Sequence, residues 1–412
     1  MLWLATQNIK IFLNAILNQM INADTLSKYL RRSIPILFFL VWNVHAVVFV
    51  PKAPKIPVKS YILMEVNTGK IIANHEENKK IQPASITKLM TAYSVFEALE
   101  NGQISLNDPV RISQRASSIG GSTMFLDPSM KVSVEELLQG MIIISGNDAS
   151  IALAEHTGGS EDAFVEFMNV YAESLGLKNT QYKNSTGLDD EGHYSSAIDI
   201  ALLANEIVKK YPQYFQWYSK PSFTFDKAKD PLTNEPIIQY NRNKLLQRDS
   251  TVDGMKTGYT SSAGYCLVAT AEKNTMRLIA VVTGANSDVE RTDSTAALLN
   301  YGFRFFETTT IVDSKTSYAE AKVWKGETDT VQLGVKSDVI RTIPKGSVKS
   351  FETTITLYSP INAPVDTSQI VGKMTITSGK DTIVETPLYP MNSVKKGSLW
   401  QRIYDSVLLL FE

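Results

Sequence analysis

The chain has 412 residues, 43% hydrophobic and 20% charged, a balance that gives a globular protein with core enough for two domains. Its net charge of −1 offers no basic excess to hold a polyanion, so no nucleic-acid partner is expected. The single cysteine, Cys266, excludes an intramolecular disulfide and, in the apolar run YCLVATA, reads as a small core residue.

Lys28, Arg31 and Arg32 precede an uncharged, mostly apolar run from Ile34 to Val50, in which Val44 and Ala46 offer the small residues of an export cleavage site. The run is short for a bilayer span and is followed by PKAPKIP, so residues 1–46 are expected to be an N-terminal extension with a signal peptide. An uncleaved anchor is the alternative, and Met20 is an alternative start to Met1. SYILMEV, NTGK and IIANH then read as a hairpin. Helices are expected over 85–99, over 134–144 behind a Ser133/Glu136 capping box, and over 197–210 behind Ser196. YCLVATA and MRLIAVVTG read as strands around the turn EKN, and DSTAALLNYGFRFFE as a helix.

The texture changes near residue 306. From 309 to 390 short strands dominate: FETTITLY alternates, and KMTIT-SGKD-TIVET reads as a hairpin. This is a small β domain whose plainest role is a spacer. The tail KKGSLWQRIYDSVLLLFE, residues 393–412 with its lead-in, sets Lys395, Lys396 and Arg402 beside an apolar stripe of Leu399, Ile403, Val407, Leu410 and Phe411. Trp400, Tyr404 and Phe411 form an adjacent row. Too short to span a bilayer, it suits an amphipathic helix lying on an anionic membrane surface. A helix docked on the protein's own surface is the alternative.

The chemistry starts from PASITKLM. A serine hydroxyl needs a group to take its proton before it attacks a carbonyl. The four histidines, His45, His75, His156 and His193, make no convincing triad with a serine elbow. Lysine can serve if burial and a second cation lower its pKa. Lys88 follows Ser85 by three residues, so on a helix the two share a face. S-x-x-K alone is weak: Ser393 to Lys396 repeats it in the tail, and a snorkelling lysine would look the same. ISGNDAS adds Ser145 and Asn147 at a helix junction, although Ser105-Leu106-Asn107 also matches S-x-N. GMKTGYT supplies Lys256, Thr257 and Gly258 at an apolar strand, where glycine lets a ligand lie against the edge and the lysine is the second cation. The three elements in this order form the signal. No His, Cys, Asp or Glu cluster has ligand spacing, so neither metal nor cofactor is expected.

This set, with S-G-N in the middle, resembles the D-alanyl-D-alanine carboxypeptidases, the low-molecular-mass penicillin-binding proteins of class C type 5 (serine peptidase family S11). SYILMEVNTGKIIA, SGNDASIALAEHTGG, LGLKNTQY, GLDDEGHYSS, NRNKLL and YGFRFFE carry the likeness over nearly the whole chain beyond the leader. The resemblance implies an α/β penicillin-recognition domain, a central antiparallel sheet flanked by helices over 53–307, then the β-rich domain over 309–390. It implies removal of the terminal D-alanine from the peptidoglycan stem pentapeptide, acylation by β-lactam antibiotics, and a place on the periplasmic face of the inner membrane. Ser85 becomes the nucleophile, Lys88 its base and Ser145 a proton relay. Asn147 would bind the substrate backbone, Lys256 and Thr257 its carboxylate, and Arg242 is a further carboxylate contact. The N–H groups of Ser85 and Tyr259 would form the oxyanion hole. Tyr259 stands where some relatives carry histidine, which leaves its side-chain role open. A β-lactamase, a D,D-endopeptidase and a wall-binding module are the rival readings. They are disfavoured, respectively, by the lack of an identifiable hydrolytic glutamate together with the tail, by the second domain and tail, and by the otherwise unexplained Lys88 and Lys256.

Overall fold

The computed structural model describes residues 49–410. The expected cleavage site at Val44 and Ala46, with the basic residues before it, lies outside the described residues, as does Phe411.

The expected hairpin forms as β1 (Ser60–Glu65) and β2 (Ile71–His75). The helices come next, in chain order: α1 (Lys88–Glu100), α2 (Gln114–Ser118), α3 (Val134–Ile143), α4 (Asn147–Gly158), α5 (Glu161–Ser174) and α6 (Ala197–Lys210). The capping box before α3 is present: Ser133 Oγ accepts from the Glu136 N–H, and Glu136 Oε2 accepts from the Ser133 N–H. Ser196 caps α6 in the same way, through the Asp199 N–H. A ribbon of β3 (Ser222–Lys229) and β4 (Pro236–Tyr240) precedes three long strands, β5 (Val252–Thr260), β6 (Gly264–Lys273) and β7 (Met276–Ala285), and then α7 (Asp288–Phe305).

Five strands make one antiparallel sheet in the order β2-β1-β7-β6-β5, which leaves β5 at an edge. Both faces are buried, and the period of two shows in the sequence. Tyr61, Leu63, Leu267, Ala269, Leu278 and Ala280 pack on the α7 side, against Leu298 and Leu299. Ile62, Met64, Cys266, Val268, Ile279 and Val281 face the other helices. Cys266 is therefore a core residue, as its apolar run indicated.

From residue 306 the chain is almost all strand: β8 (Phe306–Val312), β9 (Ala319–Trp324), β10 (Thr330–Gly334), β11 (Val339–Pro344), β12 (Phe351–Leu357), β13 (Ile361–Asn362), β14 (Gly372–Ser378) and β15 (Asp381–Pro390). β8 pairs with β11, and the others form a six-stranded sheet in the order β12-β14-β15-β10-β9-β13. A single 3-10 turn, Ser347–Ser350, interrupts the strands. The two parts meet at buried Glu65, whose Oε2 accepts from the Thr68 N–H at 2.7 Å and from Thr342 Oγ1 of β11 at 3.2 Å. The chain ends in α8 (Leu399–Leu408), capped by Ser398.

Candidate active site

Ser85 does not lie in the α-helix that the spacing predicts. It sits in a 3-10 turn, Ala84–Thr87, and Lys88 opens α1 behind it. The tighter turn still stacks residues three apart, so Lys88 Nζ reaches Ser85 Oγ at 3.2 Å. The turn is wedged between β5 and the segment around residue 187. A Cβ on Gly258 would stand 3.0 Å from the Pro83 carbonyl, and one on Gly187 only 1.8 Å from the Ala84 carbonyl, with φ at +82°. Gly187 admits no side chain and Gly258 leaves only a tight fit, which lets the backbone come this close to Ser85.

Lys88 is fully buried. Its Nζ lies 2.7 Å from Asn147 Oδ1 and 2.6 Å from the Thr186 carbonyl. Burial, which disfavours the ammonium, brings its pKa from 10.5 down to about 7, against the opposing pull of the carboxylates of Asp148 and Glu161. Lys256 is buried as well and is held well below its ordinary value by burial and then by Lys88, Arg242 and Arg291. Burial is the larger cause at both lysines, and the charge of one disfavours the ammonium of the other.

Ser145, between α3 and α4, has φ at 67°, a region that non-glycine residues seldom occupy. Its Oγ is buried with no hydrogen-bond partner among the described residues. Asn147 begins α4, and both of its amide ends are engaged within the protein, Oδ1 by Lys88 and Nδ2 on the Gly120 carbonyl. Asp148 ties down the facing loop, accepting from the N–H groups of Met124 and Leu126.

A cleft of about 620 Å³ opens above these groups. Ser85, Ser145, Asn147, Thr257, Gly258, Tyr259 and Arg242 line it, while Lys88 and Lys256 lie buried beneath. All nine residues picked out in the sequence thus gather at one place, in or under the cleft. The tail S-x-x-K at Ser393 stands outside it. Arg242 is solvent-exposed and reaches the cleft from the segment after β4. Tyr259 is 54% exposed and packs its ring on Tyr265 at 4.3 Å.

Residues 47–287 match the family model described as D-alanyl-D-alanine carboxypeptidase. The chain belongs to that family. Residues 306–396 match a second model, the penicillin-binding protein 5 C-terminal domain. The chain is 39% identical over 368 residues to the D-alanyl-D-alanine carboxypeptidase DacC of Escherichia coli (strain K12), covering 87% of this chain and 90% of that protein. DacF of Bacillus subtilis (strain 168) is also 39% identical, over 82% of this chain and 86% of the relative. Among solved structures, penicillin binding protein 5 from Haemophilus influenzae superposes with a TM-score of 0.72 at 39% identity, over 84% of this chain and 100% of that one. Penicillin-Binding Protein D2 from Listeria monocytogenes, in an ampicillin-bound form, superposes with a TM-score of 0.55 at 28% identity, over 61% and 100%.

In this member of the family several groups at the site escape motif reading. The Thr186 carbonyl carries no side-chain signal at all. His193 Nδ1 accepts from the Lys183 N–H at 3.0 Å, which leaves Nε2 to donate to Thr87 Oγ1 at 2.8 Å. Burial pushes this histidine down to about 4, so it stays neutral and braces the turn before Lys88. Asp148 was within reach of sequence, since it adjoins the S-G-N element.

Proposed function

We propose that Ser85, Lys88 and Ser145 carry out the serine-type D-alanyl-D-alanine carboxypeptidase reaction, removal of the terminal D-alanine from the peptidoglycan stem pentapeptide. The observation that carries the reading is the buried, pKa-lowered Lys88 amine set against Ser85 Oγ at 3.2 Å. Ser85 attacks the carbonyl of the D-alanyl-D-alanine peptide bond while Lys88 takes its proton. The C–N bond breaks as the proton held by Lys88 is relayed through Ser145, whose Oγ has no other partner among the described residues, to the departing amine, which returns Lys88 to the neutral form. Water then hydrolyses the acyl-enzyme. The N–H groups of Ser85 and Tyr259 hold the oxyanion, a device worth about 3–4 kcal/mol per donor. Lys256, Thr257 and Arg242 receive the terminal carboxylate, and Asn147, with Gly258 at the strand edge, aligns the substrate backbone. A β-lactam presents its strained amide to the same serine and stalls as the acyl-enzyme.

The chain division read from sequence fits this role: a leader over 1–46, the catalytic domain over 53–307, a β spacer over 309–390 and a membrane-contacting tail over 393–412. No helix among the described residues is long and apolar enough to cross a membrane. Support for surface attachment comes from how α8 sits. Its polar side faces the protein, with buried Asp405 accepting from the Lys325 N–H at 2.5 Å. Leu399, Trp400, Ile403, Tyr404, Val407 and Leu410 are exposed, beside Lys395, Lys396 and Arg402. An apolar row flanked by cations suits the anionic face of the inner membrane, with the catalytic domain in the periplasm.

Labelling with a fluorescent penicillin and mapping the adduct tests the site. Label on another residue, or unchanged labelling of Ser85→Ala, overturns it. Release of D-alanine from a pentapeptide, measured beside nitrocefin turnover, separates carboxypeptidase from β-lactamase. Truncation before Lys395 should free the mature protein from membranes, and retention there rejects the tail as anchor.

A further inference from the structure

A neutral lysine amine has two N–H donors and one lone pair. Two neighbours of Lys88 Nζ can only accept, Asn147 Oδ1 at 2.7 Å and the Thr186 carbonyl at 2.6 Å. Together they take both N–H groups and leave the lone pair to the third neighbour, Ser85 Oγ at 3.2 Å. The aim of the base therefore depends on where the Thr186 carbonyl stands. That carbonyl belongs to an irregular stretch, 183–188, with no helix or ladder to fix it. The hold comes from Glu161, the first residue of α5. Its Oε1 accepts from the Ser185 N–H at 2.9 Å and from Ser185 Oγ at 2.6 Å. Thr91 of α1 donates to the Ser185 carbonyl at 2.7 Å, so Ser185 is gripped from both sides. Glu161 is itself buried, and its Oε2 pairs with the exposed Arg115 of α2. An ionised carboxylate is costly to bury, and its retention here asks for a reason.

We propose that Glu161 is a positioning residue for the base: its carboxylate clamps Ser185, so that the adjoining Thr186 carbonyl aims the Lys88 lone pair at Ser85. It touches neither substrate nor nucleophile. The inference rests on the reading of Ser85 as nucleophile and Lys88 as base. Glu161 also acts through its charge, since with Asp148 of α4 it favours the Lys88 ammonium, while Lys256 of β5 opposes it. Around Glu161 itself stand Arg111 and Arg115, Glu155 and His156 of α4, and Asp162.

The test compares Glu161→Gln and Glu161→Ala in the full chain, reading acylation by a fluorescent penicillin from pH 5 to 9, with Ser85→Ala alongside. Glutamine keeps an acceptor for Ser185 and loses the charge, whereas alanine loses both. Glu161→Gln is expected to hold the plateau rate within about threefold and to move the rising limb to lower pH by on the order of half a unit, because a charge favouring the ammonium is gone. Glu161→Ala is expected to lose about tenfold or more in plateau rate through the misaimed base, with the penicillin's binding constant unmoved. A wild-type plateau rate in folded Glu161→Ala overturns the proposal. Should that variant not fold, Ser185→Ala, which loses the hydroxyl bond to Glu161 and leaves the charge in place, decides: a wild-type plateau overturns the proposal, and a plateau lowered severalfold with an unmoved limb supports it. Continued labelling of Ser85→Ala sinks the underlying reading instead.

Discussion

Acylation of Ser85 should rise with pH along the titration of Lys88. An ordinary lysine, at 10.5, offers a neutral amine in only about one molecule in three thousand at pH 7, whereas Lys88, at about 7, is neutral in about half. Burial thus multiplies the neutral amine about a thousandfold, roughly 4 kcal/mol in population, of which the weaker basicity of the amine takes back a part. The sign follows from the mechanism, because only the unprotonated amine accepts the serine proton. Stopped-flow acylation by a fluorescent penicillin should fall about tenfold per pH unit below 7 and level off above about 8. A profile flat between pH 5 and 9, or one still climbing steeply at pH 9, refutes a base tuned by burial. The same profile in Ser145→Ala should keep its midpoint and lose height, since Ser145 donates no bond to Lys88.

The same proton links to stability. Between about 7 and 10.5 the unfolded chain binds the Lys88 proton and the folded chain does not, so stability from this group grows with pH by about 1.4 kcal/mol per unit. Chemical denaturation should therefore show wild type gaining about 2–3 kcal/mol on Lys88→Met between pH 7 and 9; a constant difference contradicts the burial argument. Gly187→Ala should cost more than 3 kcal/mol and lower the melting temperature sharply, since its Cβ would lie 1.8 Å from the Ala84 carbonyl at a φ of +82°. Asp148→Ala leaves the N–H groups of Met124, Leu126 and Ala149 without their acceptor, and hydrogen exchange of the 122–126 loop should quicken while acylation drops about tenfold. Asp405→Ala should speed proteolysis ahead of α8, where the Lys325 N–H loses its carboxylate, yet leave membrane partitioning intact, because the exposed apolar row is unchanged.

Much of the framework was legible because it is written in local patterns. The capping residues Ser133 and Ser196 start their helices where side-chain oxygens can meet free N–H groups, and the alternation through 266–271 and 278–282 marks strands buried on both faces. Ser85, Lys88, Ser145, Asn147 and Lys256 stood out as residue types that make sense together. Local reading missed the 3-10 form of the turn at Ser85, because residues three apart stack in either helix and the wedge that tightens it comes from distant Gly187 and Gly258.

Sequence alone therefore determined which residue types stand together at the candidate site and the order of sheet, β domain and amphipathic tail. Periodicity, capping and motif spacing are properties of neighbours along the chain. Only the tertiary structure decided what lowers the Lys88 pKa and turns its amine toward Ser85. Its desolvation, the two acceptors that take its N–H groups and the clamp on Ser185 come from α4, α5 and a loop almost a hundred residues away. One of these acceptors is a backbone carbonyl, which every residue carries, so no residue type announces it. Folding likewise decided which side of α8 faces outward, because Asp405 found its partner in the Lys325 backbone and left the apolar row exposed.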